Sequence, residues 1–185
     1  MNSKLKEEIR KFEEERDLII HEGVKLNALT KKVIYSLIRD DFDSAKKYME
    51  ELDKKYKELK EKIKNNPRLF NNFAINEQEY VEAKIFFEYI NSGKILEYEE
   101  MEVDPINYFN GLADFCGELL RKSVEEMIKG NIDFALNSKK VIEEIYLKML
   151  DLEPKLYDLR KKIDYVAGIL NKLSEYIFQR TNIKQ

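Results

Sequence analysis

Along most of the chain, apolar residues recur three or four positions apart with Lys and Glu between them, the period of a helix packed on one side. From about Ser3 to Arg39 this pattern predicts one long helix. It is dense in charge from Lys4 to Asp17 and then carries a wider apolar stripe through Ile19, Val24, Leu26, Leu29, Val33, Ile34 and Leu37. Arg39-Asp40-Asp41-Phe42-Asp43 reads as a turn, and Asp43 to Lys64 as a second helix with one wet face. Asn65-Asn66-Pro67 breaks the chain, Pro67 to Asn91 reads as the next helix, and Gly93 is its stop. Residues 94–103 read as a connector. Asp104 caps, and Pro105 opens, a helix running to about Lys129 and closed by Gly130. Asn131-Ile132-Asp133 starts another, to about Leu152. Pro154 opens the last, to about Arg180, whose stripe from Leu156 to Ile177 is regular enough to serve a partner as well as a core.

Composition supports this reading. With 6 Gly and 3 Pro in 185 residues there is little turn chemistry, so the expected fold is all-α. The expectation is one domain, an antiparallel bundle of six or seven helices with a long first helix. A net charge of -3 carries no overall basic signature, so any nucleic-acid surface must be local. Cys116 is the only cysteine, which excludes an intramolecular disulfide framework and reads as a small core residue. His21 is the only histidine and reads as a packing or surface residue. No apolar run is long enough to span a membrane and the N-terminus is charged, so a cytoplasmic protein is expected.

Two helices depart from the one-wet-face pattern. The segment after Pro105 is apolar almost all the way round, as a buried helix would be, yet Asp114 and Glu118 lie in it one turn apart on one face. In the apolar helix before it, Glu79 and Glu82 are three apart, again on one face. A carboxylate in apolar surroundings must be hydrogen-bonded, paired, protonated or metal-bound. Gly111, Ala113 and Gly117 keep the surface low there. The two helices are about a dozen residues apart in sequence, which favours antiparallel neighbours that bring the four acids together. Four oxygen donors suit Mg²⁺ or Mn²⁺. A di-iron carboxylate site would call for Glu-x-x-His pairs, which this chain does not have.

Lys25, Lys32 and Arg39 recur at seven-residue intervals and make one basic stripe on the first helix, with Lys31 beside it and Arg121 after the second acidic pair. These residues could neutralise an RNA backbone. Most aromatic residues read as core; Tyr80, between the two glutamates, is the candidate to stack on a base.

The same residues resemble a known family. Gln78-Glu79-Tyr80-Val81-Glu82-Ala83 is similar to a motif of translin-associated factor X (Trax). Gly111-Leu112-Ala113-Asp114, followed by Gly117-Glu118-Leu119-Leu120-Arg121, resembles a motif shared by translin and Trax, and Gly130-Asn131-Ile132-Asp133 resembles the segment that follows it. The resemblance implies an all-helical fold that assembles into a homo-oligomer, an octamer in the family. It implies binding of single-stranded RNA, with single-stranded DNA as a further ligand, and metal-dependent endoribonuclease activity. The Trax catalytic acids fall on Glu79, Glu82 and Asp114, with Glu118 completing the cluster. Translin proper lacks the first acidic pair, so retaining it places this chain on the nuclease side. Val24-Lys25 and Thr30-Lys31-Lys32 stand where the family has Ser-Arg and Ser-Lys-Arg, keeping charge without bidentate phosphate geometry. The alternative expectation is a non-catalytic translin-like binder of single-stranded nucleic acid.

Overall fold

The computed structural model describes residues 3–182. Its helices are α1 (Ser3–Ile38), α2 (Phe42–Asn65), α3 (Phe70–Ser92), the short α4 (Tyr98–Met101), α5 (Pro105–Ile128), α6 (Ile132–Asp151) and α7 (Tyr157–Asn182). A single 3-10 turn, Pro67–Leu69, leads into α3. No strand occurs among the described residues, so the protein is all-α.

Local chemistry sets the boundaries. The Asp104 carboxylate accepts hydrogen bonds from the backbone N–H groups of Ile106 and Asn107, and Pro105 occupies the first turn of α5. Asn131 caps α6 through Phe134 N–H, and Asp41 caps α2 through Ser44 N–H. Gly93 and Gly130 stop α3 and α5 with φ of 74° and 92°, conformations that disfavour a side chain.

Two boundaries differ from the sequence expectation. The connector after α3 contains α4, held by a reciprocal box between Glu97 and Glu100. The last helix starts at Tyr157 and not at Pro154, because Glu153 takes φ of 44° and turns the chain before the proline.

α1, α2 and α3 pack together, as do α5, α6 and α7, and the pairing of α3 with α5 joins the two groups. Helices linked by short turns are antiparallel. The two acid-bearing helices, however, run the same way, against the expectation from their spacing in sequence. Glu77 meets Asn107, Gly111 backs onto Val81 and Phe86 lies by Phe115, so the contacts advance in step along both helices. The connector accounts for this by running back along α3 to begin α5 near Glu77. There the buried Glu77 carboxylate accepts from Tyr56 Oη at 2.7 Å, Asp104 N–H at 3.0 Å and Asn107 Nδ2 at 2.9 Å. Three donors on one buried carboxylate fix the start of α5 against α2 and α3.

The core is a continuous apolar set. Phe73, Ile85 and Phe86 of α3 and Phe115 and Leu119 of α5 are fully buried, as is Cys116. Burying each aromatic side chain stabilises the fold by about 2–3 kcal/mol. Gly111 is required at the helix crossing, since a Cβ there would sit 2.6 Å from Val81 Cγ1 and 2.7 Å from the Gln78 carbonyl. On α7, Ile163, Val166, Leu173 and Ile177 are buried, whereas Leu156 before it and Phe178 near its end are exposed. No described helix is long and apolar enough to cross a membrane.

Candidate active site

Because α3 and α5 run in step, their acidic pairs come level with one another. Glu79, Glu82, Asp114 and Glu118 line one open cleft of ≈ 690 Å³. Its third wall is α7, which contributes Tyr165, Gly168, Ile169 and Lys172. Gly117 lets α7 come close: a Cβ there would lie 2.5 Å from the Tyr165 hydroxyl.

The acids are only partly neutralised. Asp114 accepts from Gln78 Nε2 at 2.6 Å on one oxygen and from Lys162 Nζ at 2.5 Å on the other. Glu118 accepts from Arg121 Nη1 at 3.5 Å. Burial and then the charges of Asp114, Glu79 and Glu118 push Glu82 up to about 9. Burial and the Asp114 charge raise Glu79, against the pull of Lys31 and Lys162. Burial also raises Glu118, against Arg121. The Tyr165 hydroxyl is pushed up to about 12 by burial and by Asp114, Glu82, Cys116 and Glu118. Burial leads in raising all three carboxyls, and repulsion among the cleft acids adds to it.

That repulsion bears on the fit of a metal. The donors are all carboxylate oxygens, the class that hard dications such as Mg²⁺ and Mn²⁺ take, and a dication would relieve the repulsion that raises these acids. Among the described residues no three acids already stand close enough to share one ion. Coordination therefore calls for side-chain rotation, with Asp114 giving up a donor it now holds.

The other sequence candidates divide. Lys31 is exposed and close enough for its charge to be felt at Glu79. Arg121 lies over the Tyr35 ring at 4.4 Å, and Arg39 over the same ring at 5.9 Å, so an exposed tyrosine clasped by two guanidiniums lies beside Glu118. Lys25 and Lys32 lead away toward α2, Lys25 paired with Glu22 at 2.7 Å and Lys32 over the Tyr48 ring at 5.2 Å. Tyr80 corrects the base-stacking expectation. It is 7% exposed, its ring lies flat on Tyr56 with centroids 3.8 Å apart, and its hydroxyl donates to Asp53 at 2.8 Å. One residue either way along a helix turns a side chain by about 100°, so Tyr80 cannot share the face of Glu79 and Glu82. His21 is on the surface, 4.0 Å from the Glu22 carboxylate.

Lys162, Tyr165, Lys172 and Tyr35 went unnoticed in the sequence. The first two are three apart on α7 and face Asp114 and Gly117. The signal for them was the smallness of Gly117, which announces a close neighbour without saying which.

Residues 14–181 match the sequence profile of the Translin family. Uncharacterized protein MJ0175 of Methanocaldococcus jannaschii is 30% identical over 165 residues, covering 85% of this chain and 74% of that protein. The crystal structure of apo-NeC3PO superposes with a TM-score of 0.93 at 44% identity, covering 97% of this chain and 98% of that one. AfC3PO in its duplex RNA complex superposes with a TM-score of 0.88 at 22% identity over 97% of this chain and 96% of its own, a likeness of fold. On the extent of the sequence match, the chain belongs to the Translin family.

Proposed function

We propose that this protein is a Mg²⁺- or Mn²⁺-dependent endoribonuclease acting on single-stranded RNA, assembled as a homo-oligomer, an octamer by the family resemblance, in the cytoplasm. The observation that carries the reading is the convergence of Glu79, Glu82, Asp114 and Glu118 on one cleft, where burial and mutual repulsion raise Glu82.

Glu79, Glu82 and Asp114 are the residues that would hold the metal, with Glu118 as a further ligand or as the group that positions water. The bound ion supplies neutralisation of a non-bridging phosphate oxygen and acidification of a water. The chain's own part is as follows. Glu118, facing the cleft and oriented by Arg121, accepts a proton from the attacking water at its carboxylate. The water oxygen bonds to phosphorus, and the opposite P–O bond breaks to leave on the ribose oxygen, which takes up a proton from solvent water in the open cleft. Lys31 and Arg121 at the rim hold flanking phosphates by charge.

The test is cleavage of an end-labelled single-stranded RNA with Mg²⁺, Mn²⁺ or chelator, beside Glu79→Ala/Glu82→Ala and Asp114→Ala, with a duplex of the same sequence for comparison. Metal-dependent cutting that both variants lose, while folding and binding RNA as before, supports the site. A second reading, a non-catalytic binder of single-stranded RNA or DNA, draws on the pairing of both Asp114 oxygens with protein donors, Gln78 and Lys162. Binding without metal-dependent cutting would favour it.

A further inference from the structure

Lys162 has no part in the reading above, and its position is unusual for a surface lysine. Its ammonium lies 2.5 Å from Asp114 Oδ1 and 5.5 Å from the centre of the Tyr165 ring, with both side chains of the ion pair about three-quarters shielded. Gln78 Nε2 holds the other Asp114 oxygen at 2.6 Å. Asp114 is therefore occupied on both oxygens, by a cation on one and a neutral donor on the other. The positive charge of Lys162 is felt at Glu79 and Glu82 as well. The Tyr165 hydroxyl sits at Gly117, and the Lys162 ammonium lies over its ring.

Resting on the proposed metal-dependent reading, we infer that Lys162 is a tethered counter-ion that competes with the divalent metal for Asp114. The metal-free cleft is partly self-neutralised by α7, and metal enters only as the ammonium leaves. Lys162 is thus a positioning residue: it sets how much free metal the cleft needs, without ligating metal itself. A lysine that merely held α7 in place would have the opposite signature, because its removal would loosen the cleft and weaken metal binding.

The experiment is Mn²⁺ binding to the full-length assembled protein without RNA, by titration calorimetry and by the paramagnetic signal of free Mn²⁺. Lys162→Met is expected to bind Mn²⁺ about tenfold more tightly than the wild type, because one unit charge has been removed from beside a dication. Lys162→Gln keeps a donor for Asp114 and drops only the charge, so it should do the same and serves if the methionine variant folds poorly. Lys162→Arg keeps the charge and should bind like the wild type, and Asp114→Asn should bind more weakly. Unchanged or weaker binding by both neutral variants, with Asp114→Asn impaired, overturns the inference and leaves the metal site standing. Failure of the wild type and of every Lys162 variant to bind Mn²⁺ overturns both.

Discussion

α5 takes part in two clusters of carboxylates and cations, and they behave oppositely. Toward its C-terminus, Lys122 pairs with Asp40 at 2.5 Å and Glu126 at 2.9 Å, and donates to the Ile38 carbonyl; Lys129 joins the same two acids, and Asn131 donates to Glu126. Burial works against the ionised forms of Asp40 and Glu126, but hydrogen bonds from Lys122 and Lys129 prevail and hold both below the usual carboxylate range. One turn of the helix earlier, at Glu118, and at Glu79 and Glu82 of α3 across the cleft, burial and mutual repulsion win and these three carboxyls are raised. The same residue types make a clamp when acids and cations balance and a cation-seeking cleft when they do not. The clamp ties the α1–α2 turn, where Asp40 takes φ of 61°, to the end of α5. The cleft leaves charge unmet where chemistry is proposed.

The sharpest contrast is in activity. Asp114→Asn changes one charge and little volume, and is expected to lower metal-dependent RNA cleavage at least about a hundredfold while RNA binding changes little. In the clamp, Lys122→Met removes a lysine whose side chain is 3% exposed and leaves Glu126 and Asp40 with Lys129 as their remaining cation. Denaturant unfolding should show a loss of about 2–3 kcal/mol, discounted from a fully buried pair because Asp40 stays partly wet, with cleavage per folded molecule unchanged.

Stability should move the other way when an acid is neutralised in the cleft. Glu82 is raised from 4.5 to about 9, so the folded protein holds its proton more tightly than the unfolded chain. In chelator, its contribution is neutral below about pH 4.5 and grows more destabilising as pH rises toward about 9. Glu82→Gln removes that burden and should stabilise the metal-free protein at pH 7.5 by about 1–2 kcal/mol, flattening the alkaline side of the profile. The lowered Asp40 and Glu126 act on the acid side, where their contribution is lost as pH falls through their folded values. A Glu82→Gln profile that parallels the wild type throughout would show that the cleft acids are not mutually strained.

The helices were legible in sequence because scarce glycine and proline punctuate long stripes, and because Asp104-Pro105 and Asn131 are strong local starts. The acids were legible because an i,i+3 or i,i+4 pair in an otherwise apolar helix is a local anomaly. What failed was anything decided by distance in space. The short connector argued for antiparallel α3 and α5, yet three donors on Glu77 bring the chain back to start α5 beside it. Tyr80 sat between two site residues in sequence, but rotation along α3 carries it into the stack with Tyr56. Lys162 and Tyr165 belong to a helix full of exposed charge, and only its register against α5 singles them out.

The smallest effect separates Lys25, at one end of the expected basic stripe, from Lys31 beside that stripe. Lys25 is held by Glu22, which Lys55 also pairs, and the net charge of that trio is one positive. Lys31 has its charge on the cleft side, at Glu79. If RNA follows the acidic cleft, Lys31→Ala should weaken single-strand binding about threefold and reduce the slope of log affinity against log salt by about 0.7, the signature of one lost phosphate contact. Lys25→Ala should change neither by more than measurement error. The reverse ranking, read by anisotropy titrations at several salt concentrations, would place the RNA track along α1 and α2, away from the acids. A nuclease whose substrate bypassed its acids would be untenable, so this modest difference in slope bears directly on whether the unbalanced cleft is where the chemistry happens.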